Sequence, residues 1–461
     1  MTSTKTSAAS ARYTRARGVA QALVAAIAAP LALGACASDS LPSLPKLADL
    51  NPFAEKQVPL AGKRVSIVSE NRLAGGGELA AADKPISIPA FVGNENWTQP
   101  GGTANNTPGH LALNATVKVG WSANAGTGSS KYGKVSASPI VAGGRVYTLD
   151  AAGKVSAFST TSGSTVWTAS VVPEGEKIAE KGYGGGLAID NGRIYVATGF
   201  GTMLALDPAS GKKLWEKSVG VPVRASPTAA ADRVLAVTID GELVCLQGSD
   251  GAELWRYKGI TGSASLITNT SPAIEGDLVI APFASGDVVG VKLATGQPVW
   301  TESLARARLA SSFQSMSDAA RPAIESGTVY AVGHAGRMVA TLGRSGERLW
   351  SNSVSSIQQP IIAGDTIFVA DTLGQLIALT KRDGKVQWTV KLPGEGTWSG
   401  PVLAGNKLWA VSSKGQLASV EATTGKNAGS LDLGQPIYIA PIVAGARMFV
   451  LTDKAKLIAL N

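Results

Sequence analysis

The chain has 461 residues, of which 54 are Gly, and only 16% of its residues are charged, against about 25% in an average soluble domain. This composition excludes an acidic disordered chain and a coiled coil, and a count of two Cys excludes a small domain held together by disulfides. The net charge of +9 includes Lys5, Arg12, Arg15 and Arg17 in a segment that we expect to be removed, and no basic block follows it, so we predict no nucleic-acid binding.

The N-terminal segment has the pattern of a secretory signal. Arg12, Arg15 and Arg17 precede an apolar stretch over 18–32, which is shorter than the ~20 residues of a spanning helix. The sequence Leu-Gly-Ala-Cys at 33–36 follows it and resembles a bacterial lipobox. The resemblance implies a lipoprotein signal peptide over 1–35, a lipidated Cys36, and anchoring at the periplasmic face of the outer membrane, since Ala37 follows the cysteine. The alternative is an ordinary cleavage site that happens to contain a Cys.

The next segment, 36–92, is predicted to be a flexible tether. It contains Pro42, Pro45, Pro52 and Pro59 and a run of three glycines at 75–77. It shows no sustained apolar period of 2 or 3.6 residues, so no helix is indicated and only 64–68 could pair as a short strand.

From residue 93 the chain repeats. A turn glycine followed four residues later by Trp occurs six times, and a seventh copy has Gly425 in register but Gly429 in place of Trp. A small residue stands six positions before each of these glycines: Ala157, Ala205, Cys245, Gly290, Ala340, Ala378 and Ser419. A period of ~40–45 residues with about four short strands is typical of a propeller blade. The small residue fits where neighbouring blades approach, and the Trp fills the wedge that opens with radius.

The ends of the repeat region complement each other. The last unit begins near Ala440, reaches its small residue at Ala459 and ends at Asn461 without an outer strand. Trp121 lies about one period before Trp167 and has no inner strands ahead of it. We therefore predict an all-β, eight-bladed β-propeller of four-stranded blades over 93–461, whose last blade is completed by an N-terminal strand near 117–125.

The repeat, Ala-x-Asp-x-x-x-Gly-x-x-x-Trp, resembles that of the quinoprotein (PQQ-type) propellers, and 97–102 resembles the lead-in of that family. Behind a lipobox, such a propeller is similar to the BamB family of outer-membrane assembly lipoproteins. The resemblance implies a non-enzymatic periplasmic scaffold without a cofactor. Its partners would be the β-barrel assembly subunit, through BamA-like periplasmic domains, and the other assembly-complex lipoproteins, and it would assist insertion of outer-membrane proteins.

Two other functions use the same fold, a quinoprotein-type dehydrogenase and a generic peptide-binding propeller. Such dehydrogenases hold a quinone over Ca²⁺, and many carry a vicinal disulfide, whereas Cys36 and Cys245 are far apart. Cys245 occupies a small-residue position and is interpreted as core. His110 and His334 lack a third ligand at metal spacing. We predict no catalytic residue and no metal site.

The family resemblance also implies which loops contact the partner, namely 263–270 and 311–321. The first lacks the Arg of enterobacterial members and the second has a single acidic residue where the family has a pair. Packing between blades is the alternative role for Leu266 and Ile267. The predicted partner-binding residues in and beside these loops are Leu266, Ile267, Asn269, Phe313, Asp318 and Arg321. We expect them to lie at the surface.

Overall fold

The computed structural model describes residues 86–176, 184–260, 270–305 and 318–461. All of them belong to one compact unit, Arg72–Asn461. The expected signal peptide, Cys36 and the tether up to residue 85 lie outside the described residues. Within the described ranges, no helix is long and apolar enough to cross a membrane.

In the part of the chain that the structure describes, thirty-two strands form eight antiparallel four-stranded sheets, which are the blades. The first strand, β1 (Val119–Asn124), belongs to the last blade. The strands of blades 1 to 4 are, in chain order, β2 (Ile140–Ala142), β3 (Arg145–Leu149), β4 (Lys154–Ser159), β5 (Thr165–Ser170); β6 (Gly185–Asp190), β7 (Arg193–Thr198), β8 (Thr202–Leu206), β9 (Lys213–Ser218); β10 (Thr228–Ala230), β11 (Arg233–Val237), β12 (Glu242–Gln247), β13 (Glu253–Lys258); β14 (Ala273–Glu275), β15 (Leu278–Pro282), β16 (Asp287–Lys292) and β17 (Pro298–Ser303).

The remaining blades continue the same order from the innermost to the outermost strand. Blades 5 to 8 contain β18 (Ala323–Glu325), β19 (Thr328–Val332), β20 (Met338–Leu342), β21 (Arg348–Asn352); β22 (Ile361–Ala363), β23 (Thr366–Ala370), β24 (Gln375–Thr380), β25 (Val386–Lys391); β26 (Trp398–Ala404), β27 (Lys407–Ser412), β28 (Gln416–Glu421), β29 (Asn427–Asp432); β30 (Ile442–Ala444), β31 (Arg447–Leu451) and β32 (Lys456–Leu460).

The ring closes as predicted. The outer strand of blade 8 is β1, which pairs antiparallel with β32 and places Trp121 opposite Ala459. Beyond the strand ends, the backbones of Lys118 and Asn461 exchange two hydrogen bonds of 3.0 and 3.1 Å. Both the eight-bladed fold and its closure by an N-terminal strand are thereby confirmed.

The position of a strand within its blade explains its sequence pattern. Second and third strands such as β7 and β12 are packed between two blades, so most of their residues are buried and apolar. Outer strands such as β5 and β13 alternate between exposed and half-buried residues because one side faces solvent. The hydrophobic clusters accordingly combine residues of neighbouring blades.

Each Trp of the repeat joins its blade to the next one. Within the blade it lies opposite the small residue of the third strand, as Trp167 does with Ala157. Its ring also covers the turn glycine of the following blade, so that a Cβ on Gly211 would lie 2.5 Å from the Trp167 ring. Its indole N–H donates to a carbonyl of that blade over 2.5–3.1 Å in blades 1 to 5 and 8. Glycine is therefore required at this turn for two reasons: the backbone has a positive φ, and the Trp ring leaves no room for a Cβ.

The missing Trp of blade 7 follows from the closure. Gly429 lies opposite Ser419, at the register position that Trp occupies in the other blades. The blade that follows is blade 8, whose two outermost strands, β32 and β1, come from opposite ends of the chain. No turn glycine joins them, so a Trp at position 429 would lack the surface that the seven tryptophans of the other blades cover.

Stacking of Trp on glycine can be separated from backbone strain. Gly211 has φ +73° and contacts the Trp167 ring, whereas Gly192 has φ +69° and nothing within 4 Å of an added Cβ. We expect Gly192→Ala to lower the free energy of unfolding by about 1 kcal/mol through strain alone. Gly211→Ala should lower it by about 3 kcal/mol, since the ring must also move. Urea unfolding measures both, and equal losses would contradict the stacking role.

A segment of irregular backbone, residues 94–111, crosses one end of the ring and is called the belt. It hydrogen-bonds over 2.7–3.1 Å to the same position of the innermost strand in seven blades. These positions are Val141, Ile189, Ala229, Ile274, Ile324, Leu403 and Val443. In blade 6 the contact comes from Gln359, whose amide donates to Asn106 O over 2.7 Å. The belt thus ties all eight blades together at this end of the axis.

The lead-in sequence 97–102 forms the start of the belt. Gly101 is required because a Cβ there would lie 2.2 Å from Asn106 Oδ1 and 2.6 Å from Gln359 Oε1. The residues before the belt, 86–92, were expected to be tether, yet Ile86 donates its N–H to Thr423 O and packs with Ile88 against the core of blades 6 and 7. Residues 86–92 differ from the rest of the predicted tether because Ile86 and Ile88, two positions apart, both face the core. The high Pro and Gly content of the whole segment concealed this short apolar alternation.

Candidate functional site

The two ends of the propeller differ in what they carry. Strands alternate in direction, so the turns between the first and second strands lie at the same end as those between the third and fourth strands. The belt covers this end, because it bonds to the first of these turns at Gly405 and Gly445. The opposite end, called the loop face, carries the turns between second and third strands and the connections between blades.

The longest inter-blade connection on the loop face spans 304–322, between β17 and β18, and another long one spans 259–272, between β13 and β14. They contain all the sequence-predicted partner residues. Leu266, Ile267, Asn269 and Phe313 lie outside the described residues, as do both runs 261–269 and 306–317. Their role in partner binding stays a prediction.

Asp318 is not at the surface. It is only 4% exposed, and its backbone carbonyl accepts a hydrogen bond of 3.0 Å from His334 N. The next residues, Ala319 and Ala320, already bond to blade 4 and to the second strand of blade 5. The expectation of a surface position was wrong for Asp318, because the connection turns inward here to begin the innermost strand.

Arg321 also lies inside, on the axis of the ring. Its Nε donates to Ser271 Oγ over 2.8 Å, and its Nη1 donates to Gln359 Oε1 over 3.1 Å and to Pro100 O over 3.4 Å. It therefore bridges blades 4, 5 and 6 and the belt. Removal of the guanidinium from bulk water lowers the pKa of Arg321 to about 10. The surface position expected for Arg321 was wrong as well.

The repeat itself held the signal for this location. Arg321 precedes Pro322 at the strand start where other units have Ser138, Ser226 or Ser271. Arg321 and each of these serines stand two positions before an innermost strand, and Arg321 contacts Ser271 directly. Only the family resemblance, and not the register, had placed Arg321 in a contact loop.

An axial cavity of about 200 Å³ lies on the loop-face side of Arg321. Its wall includes polar groups of Ser138, Gln358 and Ser399 and apolar groups of Trp398 and Ile439. Towards the belt, a second cavity of about 40 Å³ is lined by Trp97 and Pro100 and again by Arg321. Arg321 therefore contributes to the lining of both spaces.

The loop face also exposes large apolar side chains that sequence reasoning missed. Ile239, in a turn of blade 3, is 47% exposed, and Ile260, at the start of the connection to blade 4, is 65% exposed. Leu373 and Tyr438 are exposed on blades 6 and 8. Their signal in the sequence was an apolar residue inside a turn, where polar residues are usual.

The remaining reactive side chains have structural roles. Burial raises the pKa of the Cys245 thiol to about 12, so it stays protonated and unreactive at neutral pH. His110 is buried, with Nδ1 at 2.7 Å from Pro89 O and Nε2 accepting the N–H of Asn406 over 3.0 Å. Among the described residues, no group of His, Cys, Asp and Glu could hold a metal ion.

Comparisons with known protein families and with individual relatives point to the same family. The profile of a family described as "Outer membrane protein assembly factor BamB" matches residues 103–180, 151–390 and 378–461. A protein of that name from Burkholderia pseudomallei is 25% identical over 250 residues, which are 52% of this chain and 60% of the relative's length. One from Shewanella oneidensis is 27% identical over 355 residues, covering 75% of this chain and 90% of the relative.

Solved structures share the fold. BamB from Moraxella catarrhalis superposes with a TM-score of 0.65 at 17% identity, over 75% of this chain and 100% of that one. A quinohemoprotein alcohol dehydrogenase from Comamonas testosteroni has a TM-score of 0.63 at 13% identity, over 79% and 80% of the two chains. At such identities the likeness concerns architecture, which proteins with different functions can share.

Proposed function

Since this chain belongs to the family of the outer membrane protein assembly factor BamB, we propose that it is a non-enzymatic periplasmic scaffold lipoprotein of the outer-membrane β-barrel assembly complex. In this role it binds the barrel subunit and assists insertion of outer-membrane proteins. The observation that carries the proposal is the extent of the family match, which runs from the belt to the last strand and so includes the whole ring.

The loop face supports a scaffold role. A ring tied by seven tryptophans and by the belt is rigid, and rigid rings present binding residues on their longest loops. The two long connections, 259–272 and 304–322, occupy neighbouring blades. Ile239 and Ile260 expose apolar surface beside the first of them, which is the composition expected at the core of a protein interface.

In this arrangement Leu266, Ile267, Asn269 and Phe313 contact the barrel subunit. Asp318 and Arg321 act differently, because both are inside the ring. They hold the end of the connection 304–322 where it enters blade 5. A charge reversal at Asp318 would consequently report on folding and is a poor probe of the interface.

We expect the double variant Ile260→Ser, Leu266→Ala to reduce co-purification with the barrel subunit about ten-fold or more, because interface anchors carry most of the binding energy. The matched control is Leu349→Ala, which removes an apolar side chain 48% exposed on the outer strand of blade 5. The midpoint of thermal unfolding should stay unchanged in both variants. Undiminished co-purification of the double variant, or equal loss in the control, would place the interface elsewhere.

The proposed anchor has its own test. If Cys36 carries the lipid, Cys36→Ala should move the protein from the outer-membrane fraction to the soluble fraction or leave it with its signal peptide attached. Membrane fractionation followed by immunoblotting measures the change, with Cys245→Ala as the control. A Cys36→Ala protein that still fractionates with the outer membrane would contradict the anchor while leaving the scaffold role standing.

A further inference from the structure

We propose that one edge of the loop face, at blades 8 and 1, binds the surface of a bilayer that contains anionic phospholipids. This edge is called the lysine rim. It consists of the connection 125–139 and the turns beside it, 150–154 of blade 1 and 452–456 of blade 8. The proposal is independent of partner binding at the connections 259–272 and 304–322, which lie at other blades.

Five lysines of the rim have no anionic partner inside the protein. Lys131, Lys134 and Lys454 are exposed, and Lys154 and Lys456 are half-buried. Within the described ranges, none of the five forms an ion pair or donates a side-chain hydrogen bond. Their charges are therefore available to an external anion.

Cations on other blades of the loop face are engaged by the protein itself. On blade 3, Lys258 pairs with Asp240 over 3.4 Å. On blade 5, Arg337 donates to Ser303 O over 3.3 Å. The lysines of the rim thus lack the internal acceptors that these two cations have.

Two carboxylates lie in the turns of the rim and do not cancel its charge. Asp150 is buried, and its oxygens accept three backbone N–H groups over 2.8 Å. Asp453 is half-buried. Five lysines and two carboxylates leave an excess of three positive charges. The exposed carboxylates of Glu174 and Asp432 belong to the connections on either side.

Backbone hydrogen bonds hold the rim together. Ser129 donates its N–H to Asp453 O over 2.8 Å, which joins the connection to the turn of blade 8. The connection itself turns at 130–133, where a backbone hydrogen bond of 2.7 Å leaves Lys131 and Tyr132 at the tip. The charged and aromatic side chains therefore stand on a frame that the protein orders by itself.

The aromatic residue at the tip favours a bilayer over an acidic protein. Tyr132 is 49% exposed, and Lys131 Nζ lies 4.5 Å from the centroid of its ring. Tyrosine is enriched at the headgroup level of membranes, where lysine meets the phosphates of anionic lipids. Because headgroups are mobile, they can pair with lysines that no fixed acceptor holds in place.

The test measures how fast each lysine of the full chain is acetylated by a water-soluble reagent, with mass spectrometry as the readout. The chain is added to vesicles of phosphatidylcholine alone, or of three parts phosphatidylcholine to one part phosphatidylglycerol. We expect the anionic vesicles to slow acetylation of Lys131, Lys134 and Lys454 about five-fold or more, and the neutral vesicles to leave it unchanged. The internal controls are exposed lysines of blades 2 and 4, namely Lys212, Lys217 and Lys292. Equal rates in the two kinds of vesicle, or equal protection of the controls, would overturn the proposal.

Variants locate the contact. The triple variant Lys131→Glu, Lys134→Glu, Lys454→Glu should lose the protection, which is then read at Lys154 and Lys456. The triple variant Lys212→Glu, Lys217→Glu, Lys292→Glu makes the same change of charge and should keep it. The thermal unfolding midpoint should stay unchanged in both, because all six side chains are exposed. Protection that survives in the first variant would mean that the membrane contacts another surface.

The unmodified chain separates a bilayer from an acidic protein. Poly-glutamate, at the same concentration of negative charge as the anionic vesicles, should protect the rim lysines less than the vesicles do, because it offers Tyr132 no apolar layer. Tyr132→Ser should weaken the protection by vesicles and leave that by poly-glutamate unchanged. Equal protection by poly-glutamate and by vesicles would assign the rim to an acidic protein and overturn the proposal.

Discussion

Trp121→Ala is expected to lower the free energy of unfolding by about 3 kcal/mol, because it removes the side chain that joins the last blade to the first. The Trp121 ring covers Gly163 of blade 1, where an added Cβ would lie 2.4 Å from the ring. Its N–H donates to Thr160 O over 3.1 Å, and it packs against Phe449. Urea unfolding followed by tryptophan fluorescence and circular dichroism measures the loss.

The control for Trp121→Ala lies two residues away on the same strand. Val119 is 52% exposed, and Val119→Ala should change the free energy of unfolding by less than about 0.5 kcal/mol. Because β1 is the edge strand of blade 8 and pairs with β32, Trp121→Ala should also speed hydrogen exchange in β32. A Trp121→Ala protein that unfolds at the wild-type urea concentration would contradict a closing role for this residue.

Gln99→Ala should have an effect of similar size, about 3–5 kcal/mol, although residue 99 belongs to no strand. The Gln99 side chain is 3% exposed. It donates to Ile189 O and Ala229 O over 3.1 and 2.9 Å and accepts from Ala229 N over 3.1 Å. Alanine would leave three buried backbone groups without partners, at about 1–3 kcal/mol each if water cannot enter.

Urea unfolding measures the loss in Gln99→Ala, and hydrogen exchange of the Ala229 amide shows whether the belt opens locally. The control is Thr103→Ala in the same segment, because Thr103 is exposed and its hydroxyl bonds only within the belt, to Asn105 and Thr107. Its cost should stay below about 1 kcal/mol. A Gln99→Ala protein as stable as Thr103→Ala would show that the belt does not hold the blades together.

The tryptophan repeat was sufficient to predict the fold. A residue such as Ala157 lies opposite Trp167 in the structure, as the constant spacing between the two positions requires. The count of units then implied that Trp121 completes the last blade, and β1 does so. These predictions succeeded because each blade repeats the same local pairing, so that residue spacing along the chain translates directly into register.

The candidate site was predictable only in part. Asp318 and Arg321 were expected at the surface, and both are inside the ring. The family resemblance assigned them to a loop, whereas the register of Arg321 with Ser138 and Ser271 placed it at the start of an innermost strand. The exposure of Asp318 and Arg321 depends on where the connection 304–322 turns inward. The length of a connection between blades does not recur with the repeat, so the sequence pattern does not predict it.

The sequence by itself determined the number of blades, the strand that closes the ring and the positions where only glycine fits, because these follow from contacts that recur with a fixed period. The tertiary structure decided what happens on the axis. The belt bonds to five of the seven innermost strands through its own backbone, which any residue carries, and to the other two through the side chains of Asn94 and Gln99, so residue types record little of it. The axial cavity likewise depends on the tertiary structure. Its lining brings together Ser138, Arg321 and Ser399, and the first and last of these are more than 250 positions apart in the sequence.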